Sequence, residues 1–335
     1  MLSRVVENVY WLARYLERAE NTARLISVNA NLLLDLPQGY ALGWQPLIDI
    51  TGSRTAFDAR HKQAGEREVV QFLAGDPENS GSIAASLTLA RENARTLRDI
   101  LPTEAWEALN QFCLEFNEEL PTALTRRARF NFLKRIVLAS QTLTGVLEGT
   151  MSRNDAYTFV MLGRNLERAD MTSRIVDVRA AQLLPQSAPE LGPFDAIQWM
   201  SVLRSLSGYQ GYRLSRRTRV NRRDALEFVL RDAHFPRACL YCLTQIEACL
   251  RSLPRSSGAL DALAGVCRFL GDAPLEALEP QGVHELIDHL QLHLNGVHDS
   301  IAQTYFPVEA SSGQARQFDR AADAAQTLPL FADGA

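Results

Sequence analysis

A stretch of sequence near the start of this 335-residue chain returns 150 positions later. Arg14-Tyr15-Leu16-Glu17-Arg18-Ala19-Glu20-Asn21-Thr22-Ala23-Arg24-Leu25 is matched by Arg164-Asn165-Leu166-Glu167-Arg168-Ala169-Asp170-Met171-Thr172-Ser173-Arg174-Ile175. Two weaker echoes follow in the same order, at offsets of 155 to 156: Trp44, Leu47, Ile50 and Gly52 against Trp199, Leu203, Leu206 and Gly208, then Phe72, Leu73 and Asp76 against Phe228, Val229 and Asp232. Three ordered matches with one small insertion predict a tandem duplication, and a repeat decides architecture before any other feature does. The expected organisation is a first helical repeat over 1–150, a second over 151–306, and a poorly ordered tail over 307–335, where Ala, Ser, Gly, Gln and Asp dominate. The two halves are expected to pack with approximate two-fold symmetry.

Apolar residues recur at helical spacing almost everywhere, and alternating β-branched runs are scarce, so the predicted class is all-α, a helical bundle. The first helix should run from an N-cap at Ser3 to about Asp35, stopped by Leu36-Pro37-Gln38-Gly39, with one buried stripe of Val5, Val9, Leu12, Leu16, Ala19, Ala23 and Ile26. Further helices are expected over 42–51, 66–74, 82–100, 104–119, 125–148, 153–184, 194–207, 222–230, 236–252, 258–270 and 283–304, with breaks at X-Pro pairs such as Leu101-Pro102, Leu120-Pro121 and Leu184-Pro185. Ser152 and Asp155 have the spacing of a capping box for the second long helix.

Composition excludes several classes of function. A net charge of −4 argues against a generic nucleic-acid binder. Only Lys62 and Lys134 are lysines, and no G-x-x-x-x-G-K-[ST] exists, which excludes a P-loop nucleotide site. The N-terminal residues lack the apolar core of a secretory signal, and no run has the length of a membrane span, so the expected location is the cytoplasm. Five cysteines are then expected as thiols.

The repeated segment is the candidate site. Arg14, Glu17, Arg18, Asn21 and Arg24 lie off the apolar stripe, and the pair Glu20–Arg24 has the spacing of a helical ion pair, kept in the second copy as Asp170–Arg174. If the two long helices cross, Glu17 can meet Arg168 and Glu167 can meet Arg18, a reciprocal structural network suited to bidentate guanidinium pairing. A second reading is a ligand or partner site in which Arg14, Arg18, Arg164 and Arg168 surround an acidic group, oriented by Glu17 and Glu167. Catalysis is a third, and it requires an environment that raises a glutamate pKa.

Met1-Leu2-Ser3-Arg4, then Tyr10-Trp11-Leu12-Ala13-Arg14-Tyr15-Leu16-Glu17-Arg18-Ala19-Glu20-Asn21 and the later Arg164 to Asp170, resembles the bacterial alpha-E domain family, which is defined by helices carrying Glu-Arg motifs. The likeness extends to about Pro307, through Ala90-Arg91-Glu92-Asn93-Ala94-Arg95 and the segment from Ser300 to Phe306. It implies a helical protein encoded beside a circularly permuted ATP-grasp ligase and a transglutaminase-like protease, sometimes with a proteasome-like peptidase. That neighbourhood implies an accessory role in peptide or amide-bond synthesis, with the nucleotide chemistry in the ligase.

Other constellations read as structural. Cys239, Cys242 and Cys249 include a C-x-x-C, but they sit in an apolar helix without a second ligand pair, so they are expected as buried thiols. Glu285, His289 and His293 share one helix face, with His284, Asp288 and His298 nearby; such a face could offer two imidazoles and a carboxylate to a metal, but the order matches no catalytic arrangement and the expectation is a solvated or partly packed face. Between Tyr212 and Arg223 six arginines form a local positive field, in which Arg216, Arg217, Arg222 and Arg223 are candidates for docking an acidic partner. No aromatic platform for RNA accompanies them. The expected function is therefore a non-enzymatic accessory or scaffold acting with an ATP-grasp ligase, without metal or cofactor. The alternative is a catalytic subunit in which Glu17 or Glu167 does acid/base work and the arginines hold a carboxylate or phosphate.

Overall fold

The computed structural model describes residues 2–35, 43–181, 192–278 and 280–306. Among them are fourteen helices and no strand: α1 (Ser3–Asp35), α2 (Gln45–Ile50), α3 (Arg54–Asp58), α4 (Glu66–Ala74), α5 (Ile83–Thr96), α6 (Thr103–Ala123), α7 (Arg126–Thr150), α8 (Asp155–Ala181), α9 (Gly192–Ser205), α10 (Tyr209–Arg216), α11 (Arg222–Arg231), α12 (Cys239–Ser252), α13 (Ser257–Asp272) and α14 (Pro280–Tyr305). The all-α expectation holds. The predicted tail over 307–335 and the breaks at Leu36-Pro37 and Leu184-Pro185 lie outside the described residues.

The two long helices of the repeated motif, α1 and α8, pack against each other at the centre. α1 is also covered by α5, α7 and α9, and α8 by α12 and α14. This enclosure corrects the single-stripe reading of α1. Val9, Leu12, Leu16, Ala19, Ala23 and Ile26 are buried as expected, but so are Tyr10, Ala13, Leu25 and Val28, together with the polar Arg14, Glu17, Glu20, Asn21 and Arg24. A helix buried all round must bring partners for its polar side, and those partners come from α8 and from Arg237, which precedes α12.

Close approach of α1 and α8 depends on Gly163. A β-carbon placed there would lie 2.3 Å from the Tyr10 carbonyl oxygen and 3.4 Å from the Ala13 β-carbon, so the crossing accepts only hydrogen at this position. Around it the core is filled by large side chains such as Trp199, Tyr10, Tyr212 and Phe57, all fully buried. Each contributes roughly 1.5–3 kcal/mol relative to exposure.

Side-chain caps mark several helix starts. Ser82 caps α5 by accepting from the Ala85 N–H at 3.0 Å, and Asn221 caps α11 by accepting from the Asp224 N–H at 2.9 Å. At the start of α8 the side chain that accepts is Asn154, from the Tyr157 N–H at 3.3 Å, rather than Ser152 of the expected capping box. α6 runs through Pro121 to Ala123 instead of ending at 119, because a proline in the last turn forfeits only one hydrogen bond. Two short helices, α3 and α10, were not anticipated.

Candidate functional site

The polar sides of α1 and α8 meet to form a buried network of arginines and glutamates. Arg18 donates to Glu167 through Nε at 2.6 Å and Nη2 at 3.1 Å, and Arg14 Nε donates to the same carboxylate at 2.7 Å. In the opposite direction Arg168 donates to Glu17 through Nε and Nη2, both at 2.8 Å. The cross-pairing expected from the repeat is therefore present, in bidentate form. Glu17 and Glu167 are almost completely buried, at 3% and 1% exposure.

The supporting pairs have a second task. Arg24 donates to Glu20 through Nε at 3.0 Å and Nη2 at 2.8 Å, while its Nη1 donates to the Ser205 carbonyl at the end of α9. Arg174 likewise donates to Asp170 at 2.8 Å and, through Nη1, to the Ile50 carbonyl at the end of α2. Each arginine thus satisfies a terminal helix carbonyl and places a positive charge at the negative end of a helix dipole. Ser205 lies 155 positions after Ile50, so these contacts are reciprocal at the same offset as the sequence echoes.

Arg164 departs from the expected cluster. It pairs with Glu148 of α7 at 2.6 Å, and its guanidinium also lies 3.2 Å from the Met161 sulfur. The second arginine on Glu17 is instead Arg237, just before α12. It donates to Glu17 at 3.2 Å and Asn21 at 2.9 Å, and it also pairs with Glu20. Sequence reasoning missed Arg237 because the residue at the corresponding offset of 156 is Gly81, so no repeat signal marks it. Asn21 completes the site by donating its side-chain N–H to Glu17 Oε1 at 2.8 Å.

Electrostatics follow from this geometry. Burial pushes the Glu17 carboxyl up, but the charges of Arg168 and Arg237, with hydrogen bonds from Arg168 and Asn21, outweigh it and hold Glu17 far below the ordinary carboxylate range. Burial likewise opposes Arg18 and Arg14 at Glu167, and the arginines prevail, bringing it down to about 2. Both carboxylates are ionised at neutral pH, the opposite of the raised pKa that a general acid needs. Beside them, Glu17, Glu20, Ser140, Thr144 and Arg164 line a crevice of about 20 Å³, room for about one water.

Aromatic rings close the other side. The Arg14 guanidinium lies 4.7 Å from the Trp11 ring centre, and Trp11 stacks on Tyr15. Tyr10 bonds His298 Nδ1 at 2.9 Å and stacks on its ring. Burial first, and the nearby Arg14 charge second, hold His298 well below its ordinary value, so it is neutral.

The remaining candidates are dispersed. Of the proposed docking arginines, Arg217 and Arg223 are exposed while Arg216 and Arg222 are half-buried. The segment is not the simple loop expected: Arg213 and Arg216 lie on α10, Arg217 takes a left-handed conformation at its end with φ of 52°, and Arg223 pairs with Glu276. Cys239 and Cys242 are fully buried, their thiols pushed up by burial, Cys242 to about 12, and they donate to the carbonyls of Ala169 and Pro236. Glu285, His289 and His293 are exposed, with the His293 ring 4.8 Å from Phe269. No helix among the described residues is long and apolar enough to cross a membrane.

A closed helical bundle with a reciprocal Glu-Arg network at its centre defines the class. The chain belongs to the Alpha-E family, described as a predicted alpha-helical domain with a conserved ER motif, whose sequence model matches residues 1–306. It is similar to an uncharacterized protein of Mycobacterium bovis and to uncharacterized proteins of two Mycobacterium tuberculosis strains, each 25% identical over 328 residues, covering 89% of this chain and 35% of the relative. The chain thus spans about a third of the length of these relatives. No solved structure matches it.

Proposed function

We propose that this chain is a non-enzymatic helical accessory protein that acts with an ATP-grasp peptide or amide ligase. Its Glu-Arg network is a structural clasp between two duplicated halves, one around α1 and the other around α8. The observation that carries this reading is the saturation of Glu17 and Glu167. Each is buried against two guanidinium groups and ionised, which leaves no proton to give at neutral pH. The duplication is supported by the crossed pairs Arg18–Glu167 and Arg168–Glu17 and by the crossed helix caps of Arg24 and Arg174. An accessory role is supported by the relatives, in which the matching segment is joined to further sequence nearly twice its own length. The link to a ligase and to a transglutaminase-like protease rests on the resemblance of the sequence motifs.

The positively charged surface around α10 and the start of α11 is the proposed docking face. Tagged protein co-expressed with the neighbouring ATP-grasp ligase is expected to retain it through purification. Replacing Arg216, Arg217, Arg222 and Arg223 with Ser is expected to weaken that retention at least tenfold while the melting temperature stays within a few degrees. Unchanged retention in a folded variant would remove the docking role from this face.

A further inference from the structure

We propose that Asp177, His284 and Asp288 form a binding site for a divalent transition-metal ion, with His284 Nε2 and the Asp288 carboxylate as ligands and Asp177 as the group that aims the imidazole. The three come together where the C-terminal half of α8 meets the first turns of α14, away from the Glu-Arg clasp. Asp177 is buried, with 2% of its side chain exposed, and its Oδ1 is 2.7 Å from His284 Nδ1. A buried carboxylate is costly unless it is partnered, and here it holds one nitrogen of a single imidazole. With the Nδ1 proton directed at Asp177, the other ring nitrogen is the one left to coordinate.

His284 Nε2 lies 3.6 Å from Asp288 Oδ2, one helical turn on. That separation is too long for a hydrogen bond. It is close to the roughly 3.4 Å between two ligands that each lie about 2.1 Å from a tetrahedral ion. A carboxylate behind the far nitrogen is also how metal-binding imidazoles are oriented and made more basic. One nitrogen and one oxygen ligand suit zinc, cobalt, manganese or iron better than calcium. The His284 side chain is 42% exposed, which leaves the other coordination positions open to water or to an incoming ligand.

Cobalt(II) is the probe, because its visible absorption reports tetrahedral nitrogen and oxygen ligands directly. Metal-stripped protein titrated with cobalt is expected to develop a saturable band at one equivalent, displaced by zinc. His284→Gln, at a partly exposed position, is expected to abolish the band without moving the melting temperature, and Asp288→Asn to weaken binding. Asp177→Asn, which touches only the far nitrogen, is expected to weaken it by about 10–100-fold. Absence of saturable binding to the native protein would overturn the proposal. So would binding that survives His284→Gln, including the case in which His293→Gln removes it instead.

Discussion

At the scale of single residues, the fold commits several charges to its interior and balances them locally. Arg237 touches three polar side chains of α1, whereas Arg164 reaches outward to Glu148, whose side chain is 46% exposed. Removing one partner from a buried ionic network costs several kcal/mol, while a half-exposed pair contributes about 1 kcal/mol or less. Arg237→Met is therefore expected to lower unfolding stability by about 3 kcal/mol, and Arg164→Met by about 1 kcal/mol. Urea unfolding of the two variants side by side checks the ranking, which the repeat alone would have drawn the other way. The glutamates also set an acid limit. Glu167 falls from 4.5 to about 2 on folding, and Glu17 falls further, so the unfolded chain binds more protons than the folded one below about pH 4.5. Their contribution is complete above that pH and is lost as pH falls toward 2, a trend that thermal melts from neutral pH downward should display. The crossed pairs were legible because both members sit inside the repeated motif. Arg237, Glu148 and Asp177 were not, since each acts through tertiary proximity alone.

At the scale of helices, the α1–α8 crossing depends on the missing side chain at Gly163. Gly163→Ala must push the Tyr10 backbone away, and overpacking of this kind costs roughly 1–3 kcal/mol. Gly145, on the exposed side of α7, has nothing within 4 Å of an added β-carbon, so Gly145→Ala is expected to stabilise by about 0.5–1 kcal/mol through helix propensity. Melting temperatures that move in opposite directions would verify both. Helices with long periodic patterns were readable because burial of an apolar face is written at every third or fourth residue. α10 spans only eight residues, too few to write a periodic apolar pattern. An added β-carbon at Gly208 would come within 2.7 Å of the Phe235 ring, so this glycine serves packing rather than chain reversal alone. The full burial of α1 was equally hidden, because helices from distant parts of the chain cover its polar side.

At the scale of the whole molecule, the Glu-Arg motif joins α1 and α8 at the centre of the bundle. Arg14 and Arg18 pair with Glu167 of α8, Arg168 and Arg237 pair with Glu17 of α1, and Arg24 and Arg174 reach further, to the ends of α9 and α2. Such a network specifies one register between the two helices, because a shifted crossing would leave buried charges unpaired. The most direct test is the free energy of unfolding of Glu17→Gln, measured by urea denaturation. Loss of this carboxylate takes from Arg168 its ion pair and from Arg237 one of two, and the stability is predicted to fall by about 3–5 kcal/mol. An unchanged free energy of unfolding in this variant would contradict the structural clasp.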